Sequence, residues 1–255
     1  MKLGSAILVL LVAIAASASW LAGNPFSTAS PPLRPPAWEY PFGTDDLGRD
    51  VFSSVLHGAR TSLYAGVSAA TLAAILGLLV GGVSAIRRGA ADQVLMRGTD
   101  FVQALPRFLL VVTIVSLFGH SFGLIILTIG LTEWPVTARL FRAQALTTLE
   151  REFVLAARAA GAGDLAILWR HVLPAALPVM GAQLSYHAGG AILIESGLSL
   201  LGLGDPSVMS WGTLLGGALR FMREAWWMSL FPGLAITLTV LGCNLVAEGA
   251  TRRRR

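Results

Sequence analysis

Six apolar stretches constrain this sequence more than any other feature: Ser5–Ala22, Ser62–Ile86, Arg107–Phe118, Phe122–Ala138, Pro178–Leu201 and Met228–Ala247. A helix that spans a bilayer needs about 20 mostly apolar residues. The third stretch is short as it stands and is expected to begin upstream of Pro106, near Phe101. The alternating segments of about ten residues that build a membrane β-barrel do not recur. The expected fold class is therefore all-α, a polytopic membrane protein with six transmembrane helices. Composition agrees: 55% of residues are apolar and 13% charged, where soluble chains carry about 25% charge. So apolar a chain also cannot stay disordered.

The formal net charge is +5, which could suit nucleic acid. The basic residues, however, fall between apolar stretches and not along one polar face, so no nucleic-acid partner is expected. Lys2 is the only lysine. That excludes a phosphate loop ending in Gly-Lys-Ser/Thr and a Schiff-base enzyme with an internal lysine. A single cysteine, Cys243, excludes an internal disulfide framework and thiolate metal clusters.

The arginines set an expected orientation. With both termini cytoplasmic, 14 of the 19 basic residues lie inside, among them Arg87, Arg88, Arg139, Arg142 and Arg252–Arg255. Arg34, Arg49, Arg60, Arg220 and Arg223 remain outside. Basic residues near span ends favour the cytoplasmic side. The first span has a second reading: Lys2, an apolar run and Ala16-Ser17-Ala18 mimic a cleavable signal peptide. The apolar run continues through Trp20 and Leu21, which favours a retained span.

This divides the chain into a first transmembrane helix (1–22), an external connector (23–61), a five-helix core (62–248) and a basic cytoplasmic tail (249–255). The connector opens with a proline-rich, extended part, Asn24–Trp38. Gly43-Thr44-Asp45-Asp46 then reads as a turn with N-capping side chains. Leu47, Val51, Phe52, Val55, Leu56 and Ala59 follow at helical spacing, which predicts a helix lying along the outer membrane surface. Asp45, Asp46 and Asp50 lack calcium-loop spacing; capping and pairing with Arg49 is the better account.

The cytoplasmic segment 139–177 is the most informative. Glu150–Ala160 is alanine-rich and favours helix. Gly161-Ala162-Gly163 breaks it, Asp164 is placed to cap a second short helix, and Pro174 with Pro178 is expected to end that helix and open the next span. The result is a helix-turn-helix at the membrane surface, whose small residues Ala156, Ala157, Ala160 and Ala162 admit a close partner.

Here the sequence resembles a known family. Leu155-Ala156-Ala157, then Gly161, His171 and Leu173-Pro174 are similar to the coupling-loop pattern of ABC importer permeases. Leu155 stands where the family has glutamate, and His171 where it has isoleucine. Gly43–Ser53, with Gly58 to Leu63, resembles the external signature of dipeptide, oligopeptide and nickel (C-type) permease subunits; Ser54 replaces a usual arginine. Ile194–Gly204 followed by Ser210-Trp211-Gly212 is similar to a third family segment.

The resemblance implies a transmembrane permease subunit of an ATP-driven importer in the bacterial plasma (inner) membrane, for peptides or a solute such as a nickel chelate. It implies six spans, a homologous second permease, two cytoplasmic ATPase subunits that bind the ATP–Mg, and an extracytoplasmic solute-binding protein. No cofactor, metal or catalytic residue is expected in this chain. Ala156, Ala157, Arg158, Gly161, Asp164, Leu173 and Pro174 become the coupling-loop residues. Asp45, Gly48, Arg49, Asp50 and Arg60 carry the external motif.

Glu133 and Glu195 lie within apolar stretches, where an ionised carboxylate costs about 2.5–3.5 kcal/mol on insertion scales. Glu195, with Tyr186 and His187 on the same span, is a pathway or gate candidate, or else a neutral hydrogen-bonded acid. Glu133, beside Trp134-Pro135, is also a pathway or gate candidate, but lies nearer the cytoplasmic end and is expected to reach the interface. His57, His120, His171 and His187 show no metal-ligand spacing. The competing function classes are a stand-alone channel or secondary transporter, and an intramembrane enzyme using Glu195, His187 and Tyr186. The first does not explain the helix-turn-helix loop; in the second, Tyr186 and His187 are adjacent and point apart, and Glu195 lies about two turns away.

Overall fold

The computed structural model describes residues 2–252, with side chains through residue 250. Among the described residues, ten α-helices follow one another: α1 (Lys2–Leu21), α2 (Val51–Arg87), α3 (Gly89–Ala104), α4 (Arg107–Phe118), α5 (Phe122–Leu149), α6 (Glu152–Ala159), α7 (Asp164–Ile167), α8 (Leu173–Leu200), α9 (Trp211–Ala218) and α10 (Trp227–Arg252). Among the described residues the only strand-like pairing is an isolated bridge between Thr44 and Asp50. Five helical segments are long and apolar enough to cross a membrane, and a sixth crossing exists if the bent pair α3–α4 counts as one. Arg253–Arg255 of the basic tail lie outside the described residues.

The bundle has two ends. The connector and α9 cap one, here the connector end; α6 and α7 protrude from the other, the loop end. The helix pair α2–α5 makes the most extensive packing in the chain. Gly77 and Gly81 permit it: a β-carbon would sit 2.4 Å from Thr137 Cβ at Gly77 and 2.4 Å from the Ala138 carbonyl at Gly81. Small residues at that spacing let two backbones approach. Three apolar clusters fill the interior. Val55, Ile192, Trp211 and Trp227 mark the one under α9 and the connector, Ile125, Ile129, Val111 and Leu198 the one between α4, α5 and α8, and Phe141, Val154, Ile167 and Val172 the loop end.

The third span departs from expectation. It does not run straight through from Phe101; α3 and α4 meet at 80°. Leu105 is extended (φ −78°, ψ 134°), as a residue before proline must be, and Pro106 has no N–H to continue the ladder. At 12 residues, α4 is about 18 Å long.

The surface helix expected over Leu47–Ala59 is also corrected. Helix α2 is a single 37-residue element, about 55 Å long, and Leu47 lies outside it. Its cap is Asp50, whose carboxylate accepts from the N–H groups of Phe52 and Ser53, not Asp45 or Asp46. The apolar face Val51, Val55 and Ala59 is buried against α9 and α10, not laid on lipid.

At the loop, Asp164 does not cap: Gly163 occupies the N-cap and makes no side-chain bond. Pro174 and Pro178 do not break the chain direction either. A π-helical turn, Leu168–Val172, joins α7 to α8, with Leu173 N–H bonding five residues back to Leu168 O. That wider turn accommodates a proline at the start of α8 where an α-ladder would lack a donor.

Candidate functional site

The loop is built around one turn. Gly161 has φ +89°. Its N–H bonds to Arg158 O and that of Ala162 to Ala157 O, both at 3.0 Å. These two bonds satisfy the last carbonyls of α6 in a Schellman arrangement, which favours glycine at this position. Arg158 and Asp164 pair across the turn at 3.1 Å. Val154 and Ile167 anchor the two helices in the loop-end core.

The outer surface is more than alanine. Ala156 and Ala160 are exposed, Ala157 and Ala162 partly buried, Leu173 partly buried and Pro174 exposed. Phe153, Leu155, Leu165 and Trp169 are all more than half exposed, which the sequence reading missed. An apolar residue in a polar loop, out of step with the buried Val154 and Ile167, is the signal that could have found them.

The connector motif is a clamp. Asp45 Oδ1 accepts from the N–H groups of Arg49 (2.7 Å) and Leu47 (2.9 Å); the bond is to the Arg49 backbone, not its guanidinium. Burial pushes the Asp45 carboxyl above its ordinary value, opposed by those two N–H donors. Gly48 has φ +75°, and a β-carbon there would fall 2.0 Å from Ser30 O. Arg60 donates to Ala15 O (2.5 Å), Ala16 O (2.8 Å) and Ser19 Oγ (2.7 Å), so the motif's arginine fastens α1 to α2.

Glu195 is 2% exposed. Its Oε1 accepts from Ser210 Oγ (2.7 Å) and Ser199 Oγ (3.0 Å). Ser210 is the N-cap of α9 and forms a capping box with Thr213, so Glu195 holds the start of α9 against α8. Gly212 makes this possible, since a β-carbon would meet Ser196 Cα at 2.6 Å.

Tyr186, His187 and Glu195 do not form one site. Tyr186 is 56% exposed and faces outward. Its neighbour His187 is buried and points to α5, with Thr137 Oγ1 at 3.0 Å and Glu133 Oε2 at 3.2 Å. Glu195 lies more than two turns further along. Glu133 does not reach an interface. It is 1% exposed and paired with Arg107 at 2.8 Å. Arg107 opens α4 directly after the elbow at Pro106. Among the described residues, no three His, Cys, Asp or Glu side chains gather to hold a metal.

Residues 73–253 match the family described as the binding-protein-dependent transport system inner membrane component. A protein of Brucella suis biovar 1 (strain 1330), provisionally named a peptide transport system permease, is 39% identical over 251 residues, covering 97% of this chain and 84% of its own. The di/tripeptide transport system permease of Pseudomonas aeruginosa (strain UCBPP-PA14) is 38% identical over 224 residues, 85% of this chain and 74% of its own. With a loop turn, a connector clamp and a Glu195 segment at the positions of three family motifs, the chain belongs to the binding-protein-dependent inner membrane components, as a permease subunit of an ABC importer of the dipeptide/oligopeptide family.

Proposed function

We propose that this chain imports short peptides, paired with a second, homologous permease and driven by two cytoplasmic ATPase subunits that bind the ATP–Mg, with solute delivered by an extracytoplasmic binding protein. The observation that carries the reading is the α6–Gly161–α7 turn. It presents Ala156, Ala160, Phe153, Leu155 and Leu165 outward from a loop whose own core is already filled by Val154 and Ile167. An exposed apolar patch rimmed by charge marks a protein or membrane contact, and a chain whose only lysine is Lys2 needs a partner to supply nucleotide energy, which favours the protein. The peptide class is supported by the names of the relatives.

In this reading the loop end, both termini and Arg87, Arg88 and Arg170 face the cytoplasm of a bacterial inner membrane, as the arginine distribution favours. The connector and α9 face outward. Ala156, Ala157, Arg158, Gly161, Asp164, Leu173 and Pro174 form and brace the ATPase contact. Glu195 fastens α9 over the outer end of α8 and acts in the external gate; Tyr186 and His187 are not part of that gate.

The test is purification of the tagged chain from cells expressing its neighbouring transport genes, followed by uptake of labelled di- and tripeptides in proteoliposomes. Recovery of an ATPase pair with ATP-dependent peptide uptake is expected. A chain that purifies alone and conducts solute without ATP would refute the reading.

A further inference from the structure

Arg107 is a charged group to which the transport reading gives no task. It opens α4 directly after the Pro106 elbow and meets Glu133, twelve residues past the Ser121 cap of α5. That is about 18 Å along α5 from its cap, so Arg107, counted on the cytoplasmic side of a straight third span, instead lies within a hydrocarbon layer about 30 Å thick that begins at Ser121. The pair is asymmetric: the Glu133 side chain is 1% exposed and that of Arg107 is 40% exposed. Nη1 reaches Glu133 Oε1 at 2.8 Å, while a guanidinium has five N–H donors in a planar fork. With 40% of the side chain exposed, part of the fork is open. A charge facing hydrocarbon at that depth costs at least about 2.5–3.5 kcal/mol. The open side of Arg107 therefore faces water or protein, not lipid.

Glu133 is braced from behind. His187 Nδ1 lies 3.2 Å from its second oxygen. Gln183 Nε2 lies 2.9 Å from His187 Nε2, an N–H donor opposite a ring nitrogen, so with the amide assigned this way Nε2 accepts and Nδ1 carries the hydrogen; Nδ1 faces Glu133 Oε2 without hydrogen-bond geometry. Thr137 holds the same ring nitrogen at 3.0 Å. Four side chains from α5 and α8, namely Glu133, Thr137, Gln183 and His187, thus line up behind one arginine and leave its fork presented.

We infer that Arg107 is an anion-recognition point on the translocation path, where the carboxylate of a passing solute is held by the free edge of the guanidinium. Glu133 is the resident counter-charge. It keeps Arg107 placed when no solute is present and makes capture an exchange between two carboxylates, so release stays easy; conduction needs binding strong enough for entry and weak enough for exit. The ligand class is a small carboxylate. That it is the free C-terminus of a short peptide rests on the function proposed above.

The test uses the assembled importer with Cys243→Ser and Leu110→Cys, one turn beyond Arg107 on the same face of α4. Anionic sulfonatoethyl methanethiosulfonate should label this cysteine about threefold or more faster than the trimethylammonium analogue, as a locally positive cleft requires. N-acetylglycine should slow the labelling and N-acetylglycinamide should not. In Arg107→Gln/Glu133→Gln, which removes both charges and leaves neither orphaned, the charge preference and the protection should vanish together. No labelling by either reagent, equal rates for both, or equal protection by the acid and the amide would overturn the assignment. Because neither probe is a peptide, charge-selective protection in a complex that takes up no peptide would refute the peptide reading and leave the Arg107 site standing.

Discussion

Trp211 donates its indole N–H to the carbonyl of Val55 at 2.9 Å, joining α9 to α2 across 156 residues of chain. The backbone N–H of Trp211 bonds Ser62 Oγ at 3.0 Å, and the ring is 1% exposed. Trp211→Phe loses the bond but keeps most of the burial, an expected cost of about 1 kcal/mol. Trp211→Ala leaves a cavity and should cost about 3–5 kcal/mol. Denaturant unfolding of the solubilised chain, followed by fluorescence of the remaining tryptophans, checks the order. Equal losses would mean that the bond, not the burial, holds α9 down.

Gly161→Phe is expected to abolish transport and weaken recovery of the ATPase subunits while membrane insertion stays normal. A β-carbon meets nothing within 4 Å there, so the local cost is the left-handed backbone alone, about 1–2 kcal/mol. Gly89→Phe is a matched control: its φ is +60° and its surroundings are equally open, but it lies outside the loop. Both variants carry the same kind of strain. Equal transport by the two would dissociate Gly161 from coupling.

What was legible in the sequence followed from apolar length and from local punctuation. Five spans and the helix–Gly–helix loop could be read because each depends on residues adjacent in the chain. The 80° elbow needed Pro106 to be weighed above the apolar runs on either side, and its effect on Leu105 is local enough to have been read. Helix α9 is only eight residues and three are glycines, so propensity argues against it; the Ser210–Thr213 capping box and the burial of Trp211 override that. The Arg107–Glu133–His187 grouping was not readable, because it joins three helices through a bend whose angle no periodicity encodes. That Tyr186 and His187 point apart was readable from their adjacency, since neighbours on a helix are about 100° apart; which of the two faces α5 was not.

Asp205 gives a pH prediction. Its carboxylate accepts from the Ser207 hydroxyl (2.6 Å), the Phe122 N–H (2.9 Å) and the Ser207 N–H (2.9 Å), and these bonds hold its carboxyl below the ordinary value. A lowered folded-state value stabilises the clamp above the unfolded pKa, near 3.9, and that stabilisation is lost as pH falls through the folded value. Protection of the Phe122 amide against hydrogen exchange, corrected for intrinsic rate, should be flat from neutral pH to about pH 5 and fall below about pH 4. In Asp205→Asn it should be lower and independent of pH. A fall centred above pH 5 would assign the transition to another group.

Orientation is tested with Cys243→Ser carrying single cysteines at Ser30, Ser207 or Gly163, all exposed or part-exposed positions away from helix interiors. An impermeant thiol reagent added outside intact cells should label the first two and spare the third. Labelling of Gly163→Cys from outside would invert the bundle and remove the loop from any cytoplasmic partner.

Glu195 separates a gate from a structural acid. Its carboxylate accepts from Ser199 and Ser210, and the Ser210 hydroxyl also accepts the Thr213 N–H at 3.1 Å. Glu195→Gln keeps the shape and one acceptor, and its new N–H groups can be met by hydroxyls that rotate to accept. Glu195→Ala leaves buried hydroxyls without an acceptor and a cavity beside Gly212, a combination expected to cost about 2–4 kcal/mol. If charge at this position drives opening of the α8–α9 contact, Glu195→Gln should assemble normally yet transport several-fold more slowly. Its stability should stay within about 1 kcal/mol of wild type. Glu195→Ala should lose assembly and transport together. A Glu195→Gln complex that transports at the wild-type rate from pH 6 to 8 would make Glu195 a fastener of α9 and move the gate elsewhere.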